Sequence, residues 1–289
     1  MDPARRHALL ALLVVQVLFG TLGVVGKVAI PHFGADGVAA WRIAGGALVF
    51  GVLRRALGLP GVPRADQARL LLCAAIGIAG NQLLFLHGLA RTTAVHATLL
   101  VTLTPVFTLL LGAALGHERL GWRPVLGVGA AVGGVAVLLS HGLAGGGVVG
   151  DLLIVGNTAL YSFYLVLSRP LLQRHPPLSV VAGVFAWGVP LTLPFTGLPP
   201  VEAPAVAWAA MAWILAGPTV GTYLLNLVAL QHVPATVVGV FIALQPFVAA
   251  ALAVPLLGET LGWRQVVAAS ASVGGILLVS RRPPPLPPR

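Results

Sequence analysis

The sequence predicts an all-α integral membrane protein of ten transmembrane helices, built as two inverted five-helix repeats. Three observations predict it. The chain has 289 residues, of which 58% are hydrophobic and only 8% charged, where a soluble domain carries about a quarter charged residues. Apolar runs of about 20 residues recur from end to end, each long enough to cross a hydrocarbon core of about 30 Å at about 1.5 Å per residue. The hexapeptide "ERLGWR" at 118–123 returns almost unchanged as "ETLGWR" at 259–264, 141 positions later.

In order, the predicted spans cover residues 8–30, 36–57, 67–89, 94–115, 122–140, 150–170, 177–196, 206–230, 235–256 and 263–280. The first follows Arg5 and Arg6 as a signal peptide would, yet it is too long for an h-region and lacks a small-residue cleavage site, so it reads as a retained helix. The connections are short and leave no extramembrane domain. The single cysteine, Cys73, lies inside the third span and excludes an intramolecular disulfide framework.

A net charge of +10 would suit nucleic acid, but here the basic residues sit at helix ends, where they set orientation instead. With the N-terminus cytoplasmic, the inner side receives Arg5, Arg6, Arg54, Arg55, Arg64, Arg69, Arg119, Arg123, Arg169, Arg174, Arg281, Arg282 and Arg289. The outer side receives only Arg91 and Arg264. Both termini are then cytoplasmic. The tail "PPPLPPR" reads as a solvated polyproline end.

Laying residues 80–139 on 221–280 without a gap gives about 20 identities in 60. The informative ones are Pro105 with Pro246, Glu118 with Glu259, "LGWR" at 120–123 with its copy at 261–264, and Gly133-Gly134 with Gly274-Gly275. The same offset pairs Gln16 with Asn157. This reads as a duplication of five helices, with repeats at 1–145 and 146–282, the join in "HGLAGGGVVG" (141–150), and 283–289 as a disordered proline-rich tail. Five is odd, so the second copy enters the membrane in the opposite sense. Glu118 and Glu259 should then meet the free N–H groups at the start of the helix that follows each of them. With Arg123 and Arg264 they form either helix-end anchors or charge-paired gates. Trp122 and Trp263 should sit at interface depth.

Inverted repeats let two equivalent halves exchange conformations, which turns an outward-open cavity into an inward-open one, with the solute site near the midplane. The stretch "LARTTAVHATLLVTLTPVFTLLLGAALGHERL" (89–120) and its copy "LQHVPATVVGVFIALQPFVAAALAVPLLGETL" (230–261), each with a mid-helix proline, a closing glutamate and a following "VGG", resemble the drug/metabolite transporter superfamily, specifically its ten-helix EamA-type members. The resemblance covers essentially the whole chain. It implies a secondary transporter of small organic metabolites such as amino acids or drugs, often moved outward, and it is poor in information about the substrate.

Polar groups inside hydrocarbon are costly and are expected to face a cavity or another helix. Gln16, Gly20, Gly23 and Lys27 share one helical face, and Asn157, Tyr161, Tyr164 and Ser168 stand 141 positions on. These stripes either line the pathway or bond helix to helix. Asn81 and Gln82 in the third span, and Thr222, Tyr223 and Asn226 in the eighth, extend the candidate set. Gly217-Pro218 is expected to break the eighth span near its centre. Thr104-Pro105 and Gln245-Pro246 should kink the fourth and ninth spans and free a carbonyl. Arg42 either snorkels to the outer interface or contacts an anionic group of the solute.

All seven acidic residues fall in loops or at helix ends, leaving no carboxylate at the midplane for a proton relay. His87 and His96 flank the turn between the third and fourth spans, where a role in carrying protons is the weaker reading. No zinc spacing, phosphate loop or G-x-S-x-G motif occurs, so no metal, cofactor or enzymatic activity is expected. Gly129 with Gly133 and Ser270 with Gly274 form small-residue faces that pack within the bundle or against a second copy as a homodimer. The expected protein is a carrier of the bacterial inner membrane, whose partners are the lipid bilayer and a small organic solute, with no nucleic acid. Its rivals are a non-transporting scaffold or signalling protein on the same fold, and a facilitative channel.

Overall fold

The computed structural model describes residues 3–114, 122–142, 147–230 and 241–280, and among these all regular structure is helical. Helix α1 runs Pro3–Ala56 and is interrupted only at Gly34, where φ is 69° and ψ 166°. Glycine alone adopts that region without a Cβ clash. An unbroken helix of this length would measure about 80 Å, more than twice a hydrocarbon core. The turn at Gly34 therefore divides α1 into two limbs that match the first two predicted spans.

The third span begins with a 3-10 turn at Arg64–Asp66, continues through α2 (Gln67–Ala74), winds into a π turn at Ala75–Gly80 and finishes as α3 (Asn81–Arg91). Next come α4 (Ala94–Val101), α5 (Thr104–Ala114), α6 (Trp122–Gly142), α7 (Val148–Arg174) and α8 (Pro177–Thr196). A second π turn, Leu215–Gly221, joins α9 (Ala205–Ile214) to α10 (Thr222–Leu230). Helices α11 (Gln245–Leu257) and α12 (Trp263–Ser280) complete the described chain.

Six of these segments are long and apolar enough to cross a membrane: Arg6–Ala56, Arg64–Arg91, Ala94–Ala114, Val148–Arg174, Pro177–Thr196 and Ala205–Asn226. The difference from ten has identifiable sources. The first two predicted spans are counted as one because no loop separates them at Gly34. The runs Val125–Leu138 and Gln245–Leu257 are apolar but shorter, the latter because part of the 235–256 span lies outside the described residues, and the last predicted span, the helix Trp263–Ser280, is not among the six either.

The break expected at Gly217-Pro218 is a bulge instead. Proline has no N–H and crowds the carbonyl four residues back, and the wider π winding accommodates both while the helix continues. Thr219 Oγ1 donates to Ile214 O at 2.9 Å, which satisfies one carbonyl that the winding displaces. The fourth span does kink. Thr102 and Leu103 form a turn with shortened bonds to Leu99 O and Leu100 O, and Val101 O, which Pro105 cannot serve, accepts Thr104 Oγ1 at 2.7 Å.

These irregularities recur at the spacing of the sequence repeat. Adding 141 to the turn at 102–103 gives 243–244, the turn before α11. The π turn at 75–80 maps onto 216–221, within its counterpart, and the starts of α6 and α12, Trp122 and Trp263, differ by 141.

Helices α6 and α12 pack along each other through small residues. A Cβ on Gly134 would lie 2.7 Å from Ala271 Cβ and 3.3 Å from Ala268 O, and one on Gly275 would lie 2.6 Å from Gly127 O. The sequence predicts a different packing face: a Cβ on Gly129, Gly133 or Gly274 would meet nothing within 4 Å. These glycines point away from the partner helix because the contact stripe runs one to two residues off the predicted one. Toward opposite ends, Asp66 holds Arg174 at 2.8 Å and His175 at 2.7 Å, and Asp36 holds His87 at 2.8 Å.

Candidate functional site

The densest polar constellation inside the helices centres on Arg42. It lies in the second limb of α1 and is only 5% exposed, so it does not snorkel. Nε donates to Thr219 Oγ1 at 2.8 Å, Nη1 to Gln82 Oε1 at 2.7 Å and Nη2 to Pro218 O at 3.3 Å. The π turn is what brings the Pro218 carbonyl within reach. All three acceptors are neutral, and among the described residues no carboxylate pairs with Arg42. A guanidinium has five N–H donors, and a buried charge is costly unless an opposite charge reaches it.

An aromatic cluster adjoins this cation through Tyr223. Tyr223 on α10 is within electrostatic reach of Arg42 and of Tyr161 and Tyr164 on α7. Its ring packs edge-on against Phe50 and Phe185, with centroids 5.7 and 5.3 Å away. Tyr161 and Tyr164 stack at 6.1 Å. Tyr164 is buried against the first π turn, where a Cβ on Gly77 would lie 2.3 Å from its ring, so only glycine fits there. Asn226 follows Tyr223 by three residues on the same helical face, and its Oδ1 is buried with no hydrogen-bond partner among the described residues. Thr222 turns back instead, donating to Pro218 O at 2.8 Å.

Of the two polar stripes, Gln16 and Asn157 each bond another helix. Gln245 Nε2 donates to Gln16 Oε1 at 2.6 Å. Asn81 and Asn157 each donate to the other's main-chain oxygen, at 3.2 and 2.8 Å. Gly20 fits against Val248 and Gly23 against Ala94, so that face of α1 is closed by packing. Lys27 is half-buried, within electrostatic reach of Glu259.

Glu259 is an anchor, but not of its own helix. Its Oε1 accepts Ala94 N at 2.6 Å and its Oε2 accepts Val95 N at 3.1 Å, capping α4 from the loop that precedes α12. That loop crosses the start of α4, so the free N–H groups it meets belong to the other half. Arg264 lies over the Trp263 ring, 5.0 Å from its centroid. Glu118 lies outside the described residues, as does the side chain of Arg123. Trp122 and Trp263 are 68% and 64% exposed.

Two features escape a reading of the sequence alone. Thr219 occupies the repeat position of Ile78, and that departure from the repeat is the signal for a polar role. Asp151 and His96 stand at helix ends, where solvent is expected, yet they are 1% and 9% exposed and face each other at 3.3 Å. A cavity of about 630 Å³ lies apart from Arg42, lined by Arg54, Arg55, Gln67, Ser179 and Trp187 among others. None of the candidate residues borders it.

The family model of EamA-like transporters matches residues 6–140 and again 148–281. A probable terminal-alkyne amino-acid exporter of Streptantibioticus cattleyicolor is 24% identical over 261 residues, covering 89% of this chain and 87% of that protein. An uncharacterized protein of Pseudomonas aeruginosa is 30% identical over 284 residues, 96% of this chain and 95% of its own. The uncharacterized transporter YyaM of Bacillus subtilis is 25% identical, with 89% and 88% covered. A crystal structure 22% identical in sequence superposes with a TM-score of 0.70, over 96% of this chain and 99% of that one.

Proposed function

The chain belongs to the EamA-like transporter family, and from that premise we propose that it is a secondary transporter, working as an exporter, for small organic solutes bearing a carboxylate, such as amino acids. It is a multi-pass membrane transporter by family; direction, solute and mechanism belong to the proposal. The observation that carries the solute class is Arg42, a guanidinium at 5% exposure held only by neutral acceptors. An entering carboxylate supplies the missing charge through a bidentate or charge-assisted bond. The unpartnered Asn226 Oδ1 suits an ammonium or other donor on the same solute, and the rings of Phe50, Phe185 and Tyr223 suit its apolar part. The amino-acid exporter among the relatives agrees with that class.

Alternating access between two inverted five-helix repeats is the mechanism this reading adopts. Its support is the double family match, the recurrence of π turns and kinks at the 141-residue offset, and the reciprocal seating of Gly134 on Ala268 and Gly275 on Gly127. On this reading, with ten crossings and the arginine-rich ends inward, both termini lie on the cytoplasmic side of a bacterial inner membrane, with the α3–α4 turn and the loop before α12 external. The test is uptake and efflux of a panel of amino acids, organic acids and organic cations in proteoliposomes. Saturable movement of carboxylate-bearing solutes, lost in Arg42→Ala, is the expected result. A preference for cations, or flux that does not saturate, overturns the solute class or the carrier mechanism respectively.

A further inference from the structure

We propose that His96 and Asp151 form a proton-binding latch in the external closure of the bundle, and that loss of the proton loosens that closure. The assignment of this end as external rests on the function proposed above. The site itself rests on geometry.

Close backbone contact builds it. A Cβ on Gly150 would lie 2.7 Å from the Arg91 carbonyl carbon, so the start of α7 presses directly on the α3–α4 turn. That contact delivers Asp151 into a pocket with Thr92 and His96. Thr92 Oγ1 donates to Asp151 Oδ1, His96 Nδ1 stands 3.3 Å from Asp151 Oδ2, and Gln265 Nε2 stands 3.2 Å from His96 Nε2. Four elements from both halves of the chain therefore converge on one imidazole and one carboxylate.

At 1% exposure a carboxylate requires a cation or its own proton. Among the described residues the only ion-pair partner of Asp151 is His96, and imidazole is the side chain that ordinarily exchanges its proton near neutral pH. Asp151 also lies in the first turns of α7, where the helix dipole favours negative charge. The closed arrangement thus needs one proton shared by the pair. Loss of that proton leaves a buried carboxylate facing a neutral ring, and hydration of the carboxylate by opening of this end relieves the cost.

His96 borders a cavity of about 130 Å³ lined also by Leu138, Thr260, Trp263, Arg264 and Gln265. Arg91 on α3 donates to His87 O at 2.8 Å, and His87 pairs with Asp36. Glu259 caps α4 and acts on Lys27 of α1. Arg264 of α12 lines the same cavity. Neither Arg91 nor Lys27 forms an ion pair with Asp151.

The experiment is amide hydrogen exchange of the 92–97 segment, followed by mass spectrometry on the full chain in nanodiscs, corrected for the intrinsic pH dependence of exchange. In the wild type, opening of this segment rises several-fold as pH is raised from about 5 to about 8. Asp151→Asn abolishes that rise, and His96→Gln, which leaves the carboxylate to hold the proton alone, moves it to a different pH. Thr92→Val, which keeps both titrating groups, opens more readily at every pH but retains the rise. A wild type without the rise, a rise that survives Asp151→Asn, an unshifted rise in His96→Gln, or one lost in Thr92→Val, overturns the proposal. Failure of the solute panel in proteoliposomes bears on the carrier reading alone, because this readout needs no solute.

Discussion

The carboxylate of Glu259 sits 2.6 Å from the backbone nitrogen of Ala94, 165 residues away, and caps a helix it does not belong to. The cap is doubled, since Thr93 Oγ1 also accepts from His96 N at 3.1 Å. Substituting Glu259 by Ala removes two acceptors from the start of α4 and should cost about 1 kcal/mol of stability, the usual value of a helix cap. Glu259→Gln keeps one acceptor but not the charge and should lose less. Thermal unfolding of both variants in detergent checks the order, and equal losses would mean that charge, not capping, is the contribution.

Arg42 serves three acceptors from a planar fork, which lysine cannot imitate. Arg42→Lys keeps the cation and loses at least one charge-assisted bond, worth about 1.5–3 kcal/mol. The apparent affinity for the transported solute should therefore fall roughly tenfold or more. Flux titrations against solute concentration measure it. An unchanged affinity would remove Arg42 from the solute site and leave it as a brace for the π turn.

Two adjacent glycines on α12 should answer differently to the same change. Gly275→Ala places a methyl group 2.6 Å from the backbone oxygen of Gly127, an overpacking that costs about 1–3 kcal/mol. Gly274→Ala meets nothing within 4 Å and should stabilise the helix by up to about 1 kcal/mol. Comparative unfolding of the two variants tests which face of α12 is packed; the reverse order would place the contact on the Gly274 face.

Single cysteines at Trp122 and Trp263, in a Cys73→Ser background, report orientation. Both positions are largely exposed at the starts of α6 and α12. Inverted repeats require labelling from opposite sides of the membrane by an impermeant thiol reagent, with Trp263 external. Labelling from the same side would refute the inversion while leaving the duplication itself untouched.

Much of this architecture was legible because hydrocarbon imposes length and composition on whatever crosses it. Apolar runs, prolines and repeated glycines are local or periodic properties, so the sequence by itself determined the helical membrane class, the 141-residue repeat, the kink before Pro105 and the set of polar residues that had to be explained. What it could not determine was partner choice. Whether Gln16 bonds a solute or Gln245, whether Arg42 reaches out to the interface or in to Gln82 and Thr219, and whether Glu259 caps its own helix or α4 depend on contacts between residues far apart in the chain. Burial of the His96–Asp151 pair is of the same kind, since a residue at a helix end is solvated or enclosed according to what packs over that end. Periodicity places a side chain on a face; only the tertiary structure decides which surface that face meets, because the cost of an unpaired polar group is settled by its neighbours in space.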